Sequence, residues 1–204
     1  MKDSIKEKLL KLNHMQTTDF KKAGVFIGIL NFDKYADDPH IVFTQRSTQL
    51  SSHSGEVSFP GGKWEEGDKD LYDTALRESN EEINLNRDDV IGLGNLPYLI
   101  SRHKIEVHPY VGIITKEQNF VGNYEISEIF SVPISFLLDI NNAQMHDKIK
   151  GEIDLKIPSW EYNNQRIWGL TAMITADFIN ICFDGNIPTK LDKIRERYDS
   201  YPRG

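Results

Sequence analysis

Three carboxylates that could bind a cation, those of Glu78, Glu81 and Glu82, lie within one short stretch that also carries Arg77. If the stretch is helical, Glu78 and Glu82 are one turn apart and Glu81 lies beside them, so three carboxylates share a face. Like charges at this spacing oppose helix formation by roughly 0.2–0.5 kcal/mol per pair, so a cation should compensate them. Mg²⁺ suits such a face because it binds one or two carboxylates together with substrate phosphate oxygens. The alternative is a solvated helix face on which Arg77 pairs with Glu81.

Two adjoining runs of sequence resemble a known family. The run from Gly61 to Asn86 resembles the Nudix hydrolase box: a glycine, a short loop, an acid, then R-E-x-x-E-E followed by an aliphatic residue. The run before it, Arg46 to Lys63, reads R-S-T-Q-L-S-S-H-S-G-E-V-S-F-P-G-G-K and is similar to the narrower signature of the coenzyme A pyrophosphatase group. Together they are far more specific than an isolated R-E-x-x-E-E, which a charged surface helix can show by chance.

The resemblance implies a role for each residue that matches the motifs. Glu78 and Glu82 are expected to bind Mg²⁺ or Mn²⁺. Glu81 is expected to be a further ligand, directly or through water, and is the first choice of general base. Arg77 is expected to orient a carboxylate through the two-pronged geometry of its guanidinium.

Residues before the acids are expected to bind the substrate. Arg46 is a candidate phosphate contact, although a surface arginine at a strand end is the alternative. Gly61 and Gly62 permit close approach of the backbone, with a carbonyl near the metal and amides near phosphate, and Lys63 follows them.

The box departs from the general Nudix pattern at three points. Asp68 stands where a glutamate is usual, the stretch from Asp68 to Arg77 is one residue longer, and Asn84 replaces a glycine. The first two departures resemble the coenzyme A group. Asn84 can adopt the left-handed conformation that ends a helix, so it is an acceptable C-cap.

Several other polar residues keep two interpretations each. His53 either contacts the ligand or satisfies its own loop, and Glu56 either touches metal or holds loop amides. Glu125 or Glu128 is either a supplementary base or ligand, or a surface residue. His108, on an alternating strand, favours a structural role.

These observations lead to one hypothesis and two alternatives. The leading hypothesis is metal-dependent hydrolysis of coenzyme A or an acyl derivative to a phosphopantetheine derivative and adenosine 3′,5′-bisphosphate. Clustered carboxylates raise one another's proton affinity, so activity should need metal and neutral-to-alkaline pH. One alternative is a pyrophosphatase for ADP-ribose, a dinucleotide or a nucleoside triphosphate. The other is a binding module without catalysis, which would be free to lose the acids retained here.

Composition bounds the partners. The chain has 204 residues and a formal net charge of −7, which disfavours nucleic acid or an anionic membrane as partner. Cys182 is the single cysteine, so no intrachain disulfide can form and a reducing compartment, the cytoplasm, is expected. No run of 18 apolar residues suggests a membrane span. A homodimer is one option for the assembly.

The surrounding pattern predicts the elements that position the acids. Periodicity predicts helices and strands in alternation, hence an α/β/α sandwich with a mixed sheet, which is also the fold that the resemblance implies. A single domain over residues 1–204 is expected, with the helix within 1–20 and the tail 187–204 as decorations. The predicted helices are Ser4–Leu12, Asp70–Leu85, Pro133–Leu138 and Trp168–Cys182, and the charged tail from Leu191 is expected to be either a solvated helix or disordered. The predicted strands are Ala23–Phe32, His40–Arg46, Gly55–Phe59, a broken or edge strand over Val90–Ile100, Ile105–Ile113, Glu125–Val132 and a hairpin arm over Met145–Ile157, with a break at Pro60–Gly62.

Overall fold

The fold combines eleven strands and five α-helices in the part of the chain that the structure describes. This computed structural model describes residues 1–13, 16–49, 54–150, 153–196, 198 and 201. The helices are α1 (Lys2–Leu10), α2 (Leu71–Ile83), α3 (Ile134–Leu138), α4 (Gly169–Phe183) and α5 (Leu191–Glu196). The strands are β1 (Lys21–Leu30), β2 (His40–Arg46), β3 (Val57–Ser58), β4 (Gly61–Lys63), β5 (Val90–Asn95), β6 (Leu99–Ile100), β7 (Ile105–Ile114), β8 (Ile126–Pro133), β9 (Ala143–Lys150), β10 (Ile153–Tyr162) and β11 (Gln165–Ile167).

The main sheet is mixed, as predicted, and β1 lies at its centre. β1 runs parallel to β7 along its whole length, from the pair Lys21 and Ile105 to the pair Leu30 and Ile114. It is antiparallel to β2 and β4, while β7 is antiparallel to β5 and β6 and β2 to β3 and β8. β9, β10 and β11 form a second, antiparallel sheet.

Helices cover both faces of the main sheet because successive side chains of a strand point to opposite sides. Ile27 and Ile29 of β1 join the core cluster that contains residues of α1 and α4. Phe26 and Leu30, at the alternate positions, join the cluster that contains Ala75, Leu76 and Ile83 of α2. The predicted α/β/α sandwich is therefore confirmed.

Helix α2 begins and ends at the residues that the sequence indicated. The Asp70 side chain accepts a hydrogen bond from the Asp73 amide at the N-cap, and Asn84 ends the helix in the left-handed conformation with φ 57°. Gly24 lets the helix lie directly on β1, because a Cβ at this position would fall 2.2 Å from the Leu71 carbonyl oxygen. The backbone of α2 is thus held close to the centre of the sheet.

Two expectations about the elements were wrong. Pro60–Gly62 does not simply break the structure, because Gly61, Gly62 and Lys63 pair with β1 as strand β4. The segment from Leu191 forms a helix, α5, but the helix is not solvated all round, since Leu191 and Arg195 are buried.

Most other elements follow the predictions with small shifts in their ends, but the hairpin arm predicted over Met145–Ile157 is two antiparallel strands, β9 and β10, and β11 was not predicted. The broken strand appears as β5 and β6, on either side of Pro97. No helix among the described residues is long and apolar enough to cross a membrane.

Candidate active site

The three glutamates of α2 lie on one side of the helix but in different surroundings. The Glu82 side chain is 7% exposed and that of Glu78 18%, whereas that of Glu81 is 54% exposed. Glu78 and Glu82 contact the glycines of β4, and Glu81 points outward. The face is therefore not the evenly solvated surface that the alternative interpretation described.

Glu82 is a buried carboxylate whose negative charge is only partly compensated by its neighbours. Its Oε2 accepts a hydrogen bond from the Gly61 amide at 3.0 Å, and its Oε1 lies 3.5 Å from a guanidinium nitrogen of Arg46. Burial raises the pKa of Glu82 to about 7, with Glu78 and Glu125 adding to the rise and Gly61 and Arg46 opposing it. The proton affinity is high, as expected, but burial is a larger cause than the neighbouring charges.

Glu78 lies against Gly62. A Cβ at Gly62 would fall 2.3 Å from the Glu78 carboxyl carbon, so a glycine is needed for the carboxylate to occupy this place. Burial is also the main cause of the raised pKa of Glu78, which Arg77 opposes from 3.1 Å. Close backbone approach at the glycines is thus present, but the Gly61 amide faces Glu82 and not an open phosphate site.

Arg77 holds one carboxylate by a fork, as expected, and that carboxylate belongs to Asp68. Arg77 Nε donates to Asp68 Oδ1 at 2.8 Å and a terminal nitrogen donates to Oδ2 at 3.2 Å. The pairing holds the pKa of Asp68 well below its ordinary value. The other terminal nitrogen lies 3.2 Å from Glu81 and 3.1 Å from Glu78, and Arg77 also donates to the Lys63 carbonyl at 3.4 Å. Arg77 therefore connects the loop before α2 to the acids on α2.

Arg46 bridges two acids from different elements. One terminal nitrogen donates to Glu125 Oε2 at 2.8 Å, and the other reaches Glu82. The Tyr124 hydroxyl donates to the second oxygen of Glu125 at 3.0 Å. Glu128, in contrast, accepts a hydrogen bond from Gln165 of β11. Of the two acids left open by the sequence, the structure brings Glu125 to the site and places Glu128 elsewhere.

The remaining candidates have structural contacts or lie outside the described residues. His53 and Leu50 fall in the part of the chain that the structure does not describe. The backbone carbonyl of Glu56 accepts a hydrogen bond from the Arg46 amide at 3.0 Å, and this bond does not involve the Glu56 carboxylate. His108 Nε2 lies 2.7 Å from the buried Glu106, consistent with a structural role. Cys182 is buried and its pKa is raised to about 12, as a small core residue.

The sequence did not predict two contacts of the site. The pairing of Arg46 with Glu125 depends on β8 lying beside β2, where Arg46 is opposite Ile126. The fork from Arg77 to Asp68 depends on the shape of the loop before α2. The one available signal was that Arg46 ends one predicted strand and Glu125 begins another.

The residues present suit a divalent cation, although their carboxylates now contact arginines. Among the described residues, no group of three His, Cys, Asp or Glu side chains is already arranged to hold a metal ion. Glu78 and Glu82 nevertheless supply hard oxygen donors beside the backbone of Gly61 and Gly62. The raised pKa of buried Glu82 indicates negative charge that its present partners compensate incompletely. Such a donor set fits Mg²⁺ or Mn²⁺.

A family model and two curated relatives are similar to this chain, and all three belong to the Nudix family. Residues 22–145 match the family model of the NUDIX domain. The proteins described as uncharacterized Nudix hydrolase NudL from Yersinia pestis (strain Pestoides F) and Yersinia pseudotuberculosis serotype O:1b (strain IP 31758) are each 33% identical over 169 residues, which is 82% of this chain and 83% of theirs.

Solved structures with a similar fold include a hydrolase that is named for the dinucleotide Ap4A and a domain that is complexed with ADP ribose. The binary complex of a C. elegans Ap4A hydrolase matches with a TM-score of 0.47 and 16% identity, covering 55% of this chain and 80% of that one. The NUDIX domain of Shewanella oneidensis NrtR complexed with ADP ribose matches with a TM-score of 0.46 and 18% identity, covering 65% of this chain and 84% of that one.

Proposed function

The chain belongs to the Nudix family of hydrolases, and on that premise we propose that it cleaves the diphosphate bond of coenzyme A or an acyl-coenzyme A. The products are a phosphopantetheine derivative and adenosine 3′,5′-bisphosphate. The observation that carries hydrolysis is the pair of poorly exposed carboxylates, Glu78 and Glu82, against the glycines of β4. The choice of coenzyme A rests on the run from Arg46 to Lys63.

The three glutamates of α2 have different roles, which follow from their different exposure to solvent. Glu78 and Glu82 hold Mg²⁺ or Mn²⁺, which when bound neutralises charge on the diphosphate and acts as a Lewis acid. Glu81 accepts the proton of the attacking water, because it is the most exposed of the three glutamates and can reach solvent. Arg77 keeps Glu81 oriented through the contact at 3.2 Å, while Asp68 holds the guanidinium in place. A general base positioned in this way contributes about 10²–10⁴-fold to the rate.

Cationic groups at the edge of the site compensate the anionic substrate. The chain carries a formal net charge of −7, so its overall field repels a diphosphate. Arg46 lies beside Glu82, and Lys63 follows Gly62 on β4 with an exposed side chain. We assign both cations to the phosphates, with Gly61 and Gly62 providing the close backbone surface.

The same features bear on the cellular compartment, the partners and the assembly of the enzyme. Cys182 is a buried thiol, which suits a reducing compartment such as the cytoplasm. The substrate is a small nucleotide, so neither nucleic acid nor a membrane is required as partner. A homodimer is compatible with this activity and is not needed to complete the cluster described here.

One experiment tests the proposal directly. The purified protein is incubated with coenzyme A, acyl-coenzyme A, ADP-ribose and diadenosine polyphosphates, with and without Mg²⁺, and the products are identified by mass. We expect adenosine 3′,5′-bisphosphate from the coenzyme A substrates only when metal is present. Preferential cleavage of ADP-ribose or a dinucleotide would refute the substrate assignment but would still support hydrolase activity. Binding of coenzyme A with Mg²⁺ but no product from any substrate over hours would refute catalysis altogether.

A further inference from the structure

Tyr124 exposes an aromatic ring beside the acidic cluster. Its side chain is 82% exposed, more than any other large hydrophobic residue that the structure describes. Val121, three positions earlier, is also exposed. An exposed aromatic ring is common on a protein surface, so its position and rigidity must decide whether it has a function.

The loop that carries Tyr124 is fixed to the last turn of α2. The Asn123 amide donates to the Glu82 carbonyl at 3.1 Å, and the Val121 amide donates to the Ile83 carbonyl at 3.3 Å. These bonds attach the loop to the same turn that carries the buried Glu82 carboxylate. A ring held in this way loses little conformational entropy when a ligand packs on it.

The polar end of Tyr124 is connected to the site through side chains. Its hydroxyl donates to Glu125 Oε1 at 3.0 Å, and the other oxygen of Glu125 lies 2.8 Å from Arg46, which in turn reaches Glu82. The hydroxyl is thereby held in place while most of the ring stays open to solvent. The ring lies at the outer end of a chain of contacts that ends at a proposed metal ligand.

We propose that Tyr124 is the stacking contact for the base in the nucleotide half of the substrate. This inference rests on the proposed function, since the diphosphate then lies at Glu78 and Glu82 and the base extends toward the loop. A flat ring suits a flat heterocycle, and stacking a base on an aromatic side chain is worth about 1–3 kcal/mol. The neighbouring Glu125 carboxylate suits an uncharged base better than a further phosphate.

Trp64 is the rival contact because it is also exposed and follows Lys63 of β4. Its backbone amide donates to the Lys22 carbonyl at 3.0 Å, at the far end of β4 from Gly61. Tyr124 is favoured because side-chain contacts connect it to Glu82. The two residues therefore give opposite outcomes in one experiment.

Calorimetry in the presence of Mg²⁺ compares ADP with inorganic diphosphate, which lacks the nucleoside. The proteins are the wild type, Tyr124→Ala, Tyr124→Phe, Trp64→Ala and Leu10→Ala, the last an exposed apolar residue of α1 as control. We expect Tyr124→Ala to weaken ADP binding by about 5- to 150-fold and to leave diphosphate binding unchanged. Tyr124→Phe keeps the ring and should retain ADP binding, as should Leu10→Ala.

Four results would overturn the assignment. They are unchanged ADP binding by Tyr124→Ala, an equal loss of ADP and diphosphate binding, a loss in Trp64→Ala instead, and a wild type that binds ADP no more tightly than diphosphate. An equal loss would mean that Tyr124 only positions the acids through Glu125. Circular dichroism confirms that each variant is folded.

Hydrolysis assays separate this proposal from the proposed function. If the wild type cleaves coenzyme A and Tyr124→Ala does so with an unchanged KM, the stacking contact is wrong and the activity stands. If the wild type cleaves no coenzyme A but its ADP binding depends on Tyr124, the substrate assignment is wrong and the base contact stands.

Discussion

At the scale of single residues, the burial of Glu82 has opposite effects with and without a cation. A carboxylate that is removed from water is costly when ionised, and its present partners are one backbone amide and one distant guanidinium nitrogen. A divalent ion bound by Glu82, as proposed, would supply the missing compensation. On this proposal, Glu82 destabilises the metal-free protein and stabilises the metal-bound one.

This cost should appear as a pH dependence of stability. The folded pKa of Glu82 is raised from 4.5 to about 7. A raised pKa means that the stabilising contribution is fully present below the unfolded value and is lost as the pH rises through about 7. In EDTA, we expect the free energy of unfolding of Glu82→Gln to gain on that of the wild type between pH 5 and pH 8, by at most on the order of 3 kcal/mol.

Denaturant titrations at several pH values measure this difference. The matched control is Glu7→Gln on α1, because Glu7 is exposed and its pKa is lowered, not raised. If the difference in the free energy of unfolding between Glu82→Gln and the wild type stayed the same across this range, the raised pKa of the buried Glu82 carboxyl would be contradicted.

The same residues should control catalysis. Glu78→Gln and Glu82→Gln should each abolish turnover without unfolding the protein, because each removes a proposed metal ligand. Glu81→Gln should lose about 10²–10⁴-fold in kcat, the usual cost of removing a general base.

Rates of coenzyme A cleavage and Mn²⁺ binding followed by electron paramagnetic resonance distinguish these roles. Mn²⁺ affinity should fall most in the Glu78 and Glu82 variants, whereas Glu7→Gln should behave as the wild type. Near-normal hydrolysis by Glu78→Gln or Glu82→Gln would remove the basis of the metal assignment.

At the scale of elements, glycines set the distance between α2 and the strands that it covers. Gly24 of β1 faces the helix backbone, and Gly62 of β4 faces the Glu78 carboxylate. The two glycines thus perform different tasks, since one permits the packing and the other makes room for a site residue.

A pair of alanine substitutions should separate these tasks. In Gly24→Ala the new Cβ would meet the Leu71 carbonyl at 2.2 Å, so α2 must shift, with an expected loss of about 1–3 kcal/mol or more. In Gly62→Ala the nearest atoms are the end of the flexible Glu78 side chain, which can rotate away. We expect Gly62→Ala to keep most of its stability and lose Mn²⁺ affinity.

Thermal unfolding and Mn²⁺ titration of both variants make the comparison, and each variant is the control for the other. Equal loss of stability in the two would show that β4 is as essential to the fold as β1.

Local patterns predicted the elements better than the contacts between them. Alternation and periodicity were sufficient for β2 and β7, and turn chemistry placed Asp70 and Asn84 at the ends of α2. Strand β4 was missed because a Pro-Gly-Gly run is typical of a turn, and only its pairing with β1 makes it a strand. Spacing placed Glu78, Glu81 and Glu82 on one helix face, and the resemblance to the Nudix box singled out Glu78 and Glu82 as metal ligands. Glu125 was not chosen over Glu128, because only the register of β8 against β2 decides which one meets Arg46.

At the scale of the whole molecule, the C-terminal segment is part of the packed body. Arg195 of α5 is buried, donates to the Pro97 carbonyl at 3.1 Å and forms an ion pair with buried Asp177 of α4. The charged composition after Leu191 suggested a solvated tail because sequence alone does not show that one arginine turns inward.

Removing one member of this pair should destabilise the fold. Arg195→Ala leaves the Asp177 carboxylate buried and unpaired, and a broken buried ion pair typically costs about 3–5 kcal/mol. The double variant Arg195→Ala with Asp177→Asn should recover part of the loss. Chemical denaturation measures both, with exposed Lys193→Ala of the same helix as control. A loss no greater than that of Lys193→Ala would show that the ion pair between Arg195 and Asp177 does not stabilise the fold.

The parallel pairing of β1 with β7 also sets how much of the chain must be synthesised before the central sheet can form. The two strands join along ten residues each, yet all of residues 31–104, including α2 and β4, lie between them in the chain. Closing so long a loop is slow, and its entropic cost is not offset by contacts between the strands until the second strand has been synthesised. A chain still emerging from the ribosome already displays the three glutamates of α2, but it has no central sheet to support them until residue 114 is free. The central sheet can therefore form only after more than half of the 204 residues have been translated.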